Sequence, residues 1–367
     1  MEETNLSPNS VNHFTIKKLA TICIAVLVLL GGIALFRPKP TNSTLTGKQI
    51  AEQAFSFLNK TLDPAGGFYY KFECATPKKD CTVGAPYDPI GHSFHQMPPH
   101  FGHLLLAFRD MGKKTGDATY TKKADTAMDF ILAQCEKDID YCLWNFSPLI
   151  VYWNETKAAS YKNAMLKASE ELLKDRSLAD HLALNSGLKL KALYDVTADK
   201  SYLALLVKNA DKITAGELDK ESYNPVLYTQ DSLEVRGETI KAIWADILPA
   251  YNASKDAKYL SFARDYLNKA KLSEHLGHMP TTSELQLLVY ALDSLWQLST
   301  LDTAAKDIYL AEAHKIAQYV YQTYADTPKH LKFNGDYGFV DKGVKDSLMN
   351  GWMVREFIRL SEDTFSS

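Results

Sequence analysis

Gly116-Asp117-Ala118-Thr119-Tyr120, followed by Ala124, Ala127, Phe130 and Ile131, is the stretch on which the fold turns. A polar turn, an Asp, then a Tyr and apolar residues spaced three and four apart describe the start of an amphipathic helix. The Asp suits an N-cap, because its carboxylate accepts from a first-turn amide that has no partner inside the helix. The pattern returns. Ser160-Tyr161 leads into Ala164, Leu166, Ala168 and Leu172, and Asp199-Lys200-Ser201-Tyr202 into Leu205, Leu206 and Ala210. Asp256-Ala257-Lys258-Tyr259 leads into Phe262, Ala263, Tyr266 and Leu267, and Asp302 to Tyr309 into Ala313, Ile316 and Ala317. The tyrosines stand 41, 41, 57 and 50 residues apart, the period of a helix-pair repeat. They are expected to pack, not to react.

Between these one-sided helices lie segments that are apolar nearly all round, at about 100–113, 143–155, 182–196, 234–251, 283–299 and 346–360. A helix apolar on every side belongs inside a helical assembly, and a one-sided helix belongs on its outer wall. With a first outer helix at 47–60, outer and inner helices alternate six times. The expected fold is therefore all-α, an (α/α)6 toroid of six helical hairpins over residues 47–361, with a tail at 362–367. An open superhelix is the alternative, and it leaves apolar faces uncovered at both ends unless they are capped.

This alternation, with its turn-Asp-x-x-Tyr-x-x-x-Ala start to the outer helices, resembles the six-hairpin glycosidase superfamily. That superfamily gathers toroidal glycoside hydrolases, polysaccharide lyases and sugar epimerases. The resemblance implies a carbohydrate substrate or ligand, no cofactor and, most simply, hydrolysis by two carboxylates. A uronic-acid lyase or epimerase is the close variant, and a catalytically silent toroid that binds glycan or a protein is the reading from another class. The adjacent Asp-Asp pair of toroidal mannanases is absent, so no catalytic residue carries over by motif, and fold alone does not select a reaction.

Connection lengths point to the site. Turns from an inner helix to the next outer one are short, whereas outer-to-inner connections (61–98, 134–142, 174–181, 213–233, 271–282 and 325–345) are long. Long loops on a rigid scaffold commonly carry function, so the site is expected at the end where the inner helices begin. There Gly67 to Phe72 is expected to form a short strand pairing with Gly338-Phe339-Val340. The catalytic candidates are Asp88, Asp336, Asp231, Glu234 and Glu238. Glu234 and Glu238, four apart, share one helical face, and neighbouring charges can separate two carboxyl pKa values into acid and base roles. Substrate contacts are expected from Tyr87, Tyr228, Tyr337, His95, His100, Trp144 and Arg236, because aromatic faces stack on sugar rings. Asp231 and Glu234 also have capping-box spacing. Glu284, with Thr281, and Asp346 read as caps, and Trp244 and Trp352 as core. The His92, His95, His100 and His103 cluster is split by Pro98-Pro99, so no metal is expected from it.

Two features concern the compartment. Leu19 to Phe36 is an uncharged run of eighteen residues, enough to cross a bilayer as a slightly tilted helix. It is read as an uncleaved anchor through the lipid bilayer rather than a signal peptide, with residues 1–18 cytoplasmic and 37–46 a linker to an extracytoplasmic domain. Apart from Cys23 in that run, the cysteines form two close pairs, expected as disulfides Cys74–Cys81 and Cys135–Cys142 in an oxidising compartment; zinc is the alternative, at unsuitable spacing. Sequons occur at Asn42, Asn59, Asn145, Asn154 and Asn252. The 367 residues carry 41 Lys+Arg against 44 Asp+Glu, a net charge of −3, which makes no electrostatic case for nucleic acid.

Overall fold

The computed structural model describes residues 44–62, 66–68, 71–73, 82–83, 102–174, 186–215, 239–277, 284–326, 338–339 and 344–366. The chain divides into two compact units, Met1–Ser43 and Thr44–Ser367, and every described residue belongs to the second. The expected membrane segment 19–36 lies outside the described residues, among which no helix is long and apolar enough to cross a membrane.

Six hairpins account for the unit. Outer α1 (Gly47–Thr61) is followed by inner α2 (Gly102–Thr115), and outer α3 (Ala118–Cys135) by a short α4 (Asp140–Trp144) and inner α5 (Phe146–Thr156). Outer α6 (Ala159–Lys174) precedes inner α7 (Ser186–Thr197), and outer α8 (Lys200–Thr214) precedes inner α9 (239–254). Outer α10 (Ala257–Ala270) and inner α11 (Glu284–Leu301), then outer α12 (Lys306–Tyr324) and inner α13 (Ser347–Arg359), complete the series. The inner helices pack in a closed ring: α2 on α5, α5 on α7, α7 on α9, α9 on α11, α11 on α13, and α13 back on α2. The ring excludes an open superhelix. Burial follows the sequence pattern. Inner α11 buries Leu285, Leu287, Leu288, Val289, Leu292, Leu295 and Leu298 around its circumference, whereas outer α10 buries only Tyr259, Ala263, Leu267 and Ala270 along one stripe.

The short turns are built alike. Gly116, Lys157, Ala198 and Lys255 each adopt a left-handed φ, between 55° and 75°. Each amide bonds back to the carbonyl four residues earlier, Gly112, Trp153, Tyr194 and Tyr251 respectively, at 2.7–2.9 Å. This ends the inner helix in one residue. In three of the turns the next residue is the expected Asp cap: Asp117, Asp199 and Asp256 accept from the amides of Thr119, Ser201 and Lys258 at 2.8, 2.8 and 3.0 Å. Asp302 departs from the expectation. A 3-10 turn, Thr303–Ala305, intervenes before α12, and the Asp302 carboxylate accepts from the Tyr309 hydroxyl at 3.0 Å instead. The repeat tyrosines do pack, Tyr259 and Tyr309 being almost wholly buried.

The short strands are β1 (Thr44–Thr46), β2 (Lys71–Glu73), β3 (Thr82–Val83), β4 (Ala325–Asp326), β5 (Gly338–Phe339), β6 (Val344–Asp346) and β7 (Thr364–Ser366). The expected pairing of the first long loop with Gly338-Phe339 is not the one formed. β2 pairs with β3 and β6, and β5 pairs with β4. Asn350 explains the choice, since its side chain holds Phe339 at both backbone atoms, accepting from N at 2.6 Å and donating to O at 2.9 Å. β1 pairs with β7, so the two ends of the unit are sewn together just outside residues 47–361. Among the sequons, Asn145 is fully buried with Nδ2 donating to Tyr141 O at 2.7 Å, which closes it to a glycan in the folded protein.

The ring closes where α13 meets α1 and α2 at backbone distance. A Cβ on Gly47 would stand 2.2 Å from the Leu360 carbonyl oxygen and 2.7 Å from that of Phe357, and a Cβ on Gly351 would stand 3.1 Å from Leu104 Cα. Thr46 starts α1 with a capping box, accepting from Gln49 N while Gln49 returns a bond to Thr46 N. Gly47→Ala is therefore expected to destabilise the unit by about 1–3 kcal/mol, the range for overpacking a rigid site, read as a lowered Tm. An unchanged Tm would show the seam to be loose.

Candidate functional site

Inner helices all run the same way round the ring, so their first turns share the end reached by the long connections. At that end and just below it, four of them contribute rings to one aromatic wall. His103 of α2 lies 4.1 Å from Trp352 of α13 and 6.3 Å from Trp244 of α9, centroid to centroid. Trp244 lies 4.8 Å from Tyr290 of α11 and 5.8 Å from Trp352, and Tyr290 lies 5.3 Å from Trp352. These offset and edge-on contacts are the attractive geometries for aromatic pairs. Trp244 and Trp352, expected as core, are buried; they are also the meeting point of four helices.

Trp244 sits in a π-helical segment, Ile243–Ile247, inside α9. A π-bulge widens the helix by one residue and re-aims the side chains it carries. Asp246 of the same segment accepts from Gly187 N at 2.8 Å and so ties the start of α7 to α9. Gly187 has to be glycine there, since a Cβ would meet Ala245 O and Asp246 Cα at 2.6 Å.

Toward the C-terminal ends of the inner helices, a charged network holds these rings from below. Asp293 accepts from Trp244 Nε1 at 2.5 Å and from the Arg359 guanidinium. Arg359 also donates to Glu356 at 2.7 Å, while Arg355 donates to Asp110 at 2.8 Å and reaches His103 Nδ1 at 3.2 Å. Because a guanidinium only donates, that contact makes Nδ1 the acceptor and leaves the ring proton on Nε2. Burial, reinforced by Arg355 and Arg359, holds the His103 pKa well below its ordinary value, so the ring is neutral near pH 7. Part of its surface stays open, even though protein surrounds it closely enough to strip its solvation.

For Asp293 burial acts to raise the pKa, but Arg359, Arg355 and the Trp244 hydrogen bond outweigh it, so the carboxylate stays ionised. Glu356 goes the other way. Burial, with the Asp293 charge adding to it, lifts its pKa to about 7 despite Arg359 and Arg355. Arg359 itself remains charged, its burial overcome by the two carboxylates beside it. The two partners' shifts agree once the charges are counted: two carboxylates face one guanidinium, Asp293 neutralises it, and Glu356 is the surplus that keeps a proton.

At the second hairpin, Trp144 ends α4 with 49% of its surface exposed. Lys189, in the first turns of α7, places Nζ over the Trp144 ring, 5.0 Å from its centroid. Burial brings the Lys189 pKa down to about 8, against the opposing field of Asp140. The α4 turn is anchored by a disulfide between Cys135 and Cys142, Cα atoms 5.2 Å apart, and by Lys167 Nζ, which donates to Cys135 O at 2.9 Å.

Of the residues expected to act, Asp88, Asp231, Glu234, Glu238 and Asp336 lie outside the described residues. So do Tyr87, His95, His100, Tyr228, Arg236, Tyr337 and the Cys74–Cys81 pair. Asp346 caps α13 as expected, accepting from Leu348 N and Met349 N at 2.8 and 3.2 Å. Glu284 does more than its spacing to Thr281 suggests, since it accepts from Gly277 N at 2.8 Å, from Tyr319 Oη at 3.0 Å and from Tyr324 Oη, clamping the start of α11 to α12. Among the described residues no group of His, Cys, Asp or Glu could hold a metal ion. Sequence reasoning passed over Lys189, Tyr290, Asp293, Arg355, Glu356 and Arg359. The available signal was charge on helices otherwise apolar all round, because a buried charge persists only with a partner.

No protein-family model matches the chain, and no curated protein matches it in sequence. Solved structures do match it. An inactive variant of an α-1,6-mannanase of Salegentibacter sp. HEL1_6, bound to α-1,6-mannotetrose, is 14% identical with a TM-score of 0.59, over 86% of this chain and 100% of the other. An unsaturated glucuronyl hydrolase of Streptococcus agalactiae is 13% identical with a TM-score of 0.60, over 89% and 96%. A related hydrolase specific for heparin is 11% identical with a TM-score of 0.55, over 86% and 96%. At such identities the likeness establishes the six-hairpin toroid as the fold.

The raised Glu356 pKa has a thermodynamic consequence. Its folded value, about 7, lies above the ordinary 4.5, so the folded state holds the proton more tightly than the unfolded one. The contribution is fully present below about pH 4.5 and is lost as pH rises through about 7. Glu356→Gln keeps the acceptor for Arg359 and removes the titration. The wild type should therefore lose up to about 3 kcal/mol relative to that variant across this window, read as Tm against pH. Parallel profiles would show that Glu356 is ionised throughout.

Proposed function

We propose that this chain is a carbohydrate-active enzyme of the glycoside hydrolase type, working at the end of the toroid where the inner helices begin. The observation that carries the reading is the exposed Trp144 in the connection leading to α5, at the end where the partly open His103 ring stands on the buried Trp244, Tyr290 and Trp352. Sugar rings present C–H faces that stack on such surfaces, and the solved structures of similar fold include a mannanase with a mannotetrose bound.

The acid and base are sought in the long connections, at Asp88, Asp231, Glu234, Glu238 and Asp336. Hydrolysis needs two carboxyls about 5–10 Å apart across the scissile bond, one protonated to assist the leaving group and one ionised. Tyr87, Tyr228, Tyr337, His95, His100 and Arg236 would hold the sugar around them. Five full-length variants (Asp→Asn or Glu→Gln at those positions) assayed on oligosaccharides test this. Two of them should lose about 100-fold or more in kcat while still binding. Full activity in all five would overturn the assignment.

A second reading has its own observation. Among the described residues each carboxylate near the wall already serves structure: Asp293 holds Trp244 and Arg359, Asp110 holds Arg355, and Glu284 holds two tyrosines. A glycan-binding toroid without catalysis fits that pattern, and saccharide binding with no product formed by the wild type would select it.

We further propose that residues 19–36 tether the toroid to the bilayer on its extracytoplasmic side. The hydropathy of that run and the Cys135–Cys142 disulfide support this placement. Thiol labelling of the denatured, unreduced chain should find Cys23 alone reactive; free Cys74 and Cys81 would count against an oxidising compartment.

A further inference from the structure

Lys189 is set apart by what surrounds it. Its ammonium lies 5.0 Å above the Trp144 ring, and among the described residues it forms no hydrogen bond and no ion pair. Lys157 offers a contrast, since it too lies over an indole, that of Trp153, but its Nζ also donates to Asn154 at 3.4 Å. Lys189 is partly buried, and burying an ammonium without a hydrogen-bonding anion is unfavourable. The residue that could serve it, Asp140 on α4, acts through its field alone. Beside this cation, Trp144 keeps about half its surface open, at 49% exposure. Trp144 stands two residues before inner α5 and Lys189 in the first turns of the neighbouring inner α7, and the Cys135–Cys142 disulfide fixes the turn that carries Trp144.

We propose that Trp144 and Lys189 form a subsite for an acidic sugar unit, the indole stacking against the ring and the ammonium receiving its anionic substituent. The proposal rests on the carbohydrate reading above and adds a charge requirement to it. The shared chemistry is a pyranose carrying one anion, whether a carboxylate or a sulfate. An arriving anion gives the Lys189 ammonium the partner it lacks, while the indole supplies area at little entropic cost. The arrangement asks for no covalent step and no cofactor. It also has a pH signature. With its pKa brought to about 8 by burial, and Asp140 opposing, the unliganded lysine loses its charge as pH rises through that value, and the preference for the acidic sugar falls with it.

The test is calorimetric titration of the full-length protein in a non-glycosidic detergent with matched pairs of oligosaccharides. One pair is an oligouronide and its carboxyl-reduced form, and the other is a sulfated oligosaccharide and its desulfated form. The wild type should bind the acidic member of one pair at least about tenfold more tightly at pH 6.5, the size expected of one charge-assisted hydrogen bond. Whichever pair shows the preference identifies the anion. Lys189→Met should abolish the preference while neutral sugars bind as before, Lys189→Arg should retain it, and Trp144→Ala should weaken both members. Unchanged circular dichroism and Tm exclude misfolding of the variants. Equal affinity for both members of both pairs, or a preference that survives Lys189→Met, overturns the subsite and leaves the carbohydrate reading standing. No binding of any saccharide overturns both.

Discussion

Backbone contact at one seam holds the architecture closed. Gly47 and Gly351 let the last inner helix lie closely against the first outer and first inner helices: a methyl group at Gly47 would collide with two backbone carbonyls, and one at Gly351 would crowd Leu104. The β1–β7 pair and the Thr46 capping box then fix the two chain ends there. A ring of hairpins has no free edge only if its last member meets its first. All that lies inside depends on this closure, because helices apolar on every side need neighbours on every side.

Closure creates the electrostatic problem that shapes the interior. Asp110, Asp293, Arg355, Glu356 and Arg359 sit on helices with little water around them, where each charge needs a partner. The pairs form between adjacent helices of the ring, α2 with α13 and α11 with α13. They pin the aromatic wall above, through Trp244 on Asp293 and His103 on Arg355. The one excess carboxyl, Glu356, holds a proton instead. The rings are thus held in place beneath the first turns of the inner helices.

Much of this was legible beforehand. The Asp–Tyr starts of the outer helices, the all-round apolar inner helices and the alternation of short and long connections are local properties with a fixed period, and Asp117, Asp199 and Asp256 cap as that period implies. The strand pairing was not legible: Gly338-Phe339 was free to pair with any strand of suitable length until Asn350, eleven residues away, took hold of Phe339. Asp302 was misread because a 3-10 turn moved it off the helix start.

The sequence by itself determined the six hairpins, which of their helices face inward, and the end at which the loops emerge, since these follow from hydrophobic period and connection length. Only the tertiary structure decided which charges meet, which rings stack, and that Lys189 stands over Trp144 with no anion bonded to it among the described residues. Those contacts join helices remote in the chain, and no local spacing encodes them. Their energies depend on burial, which exists only once the ring has closed.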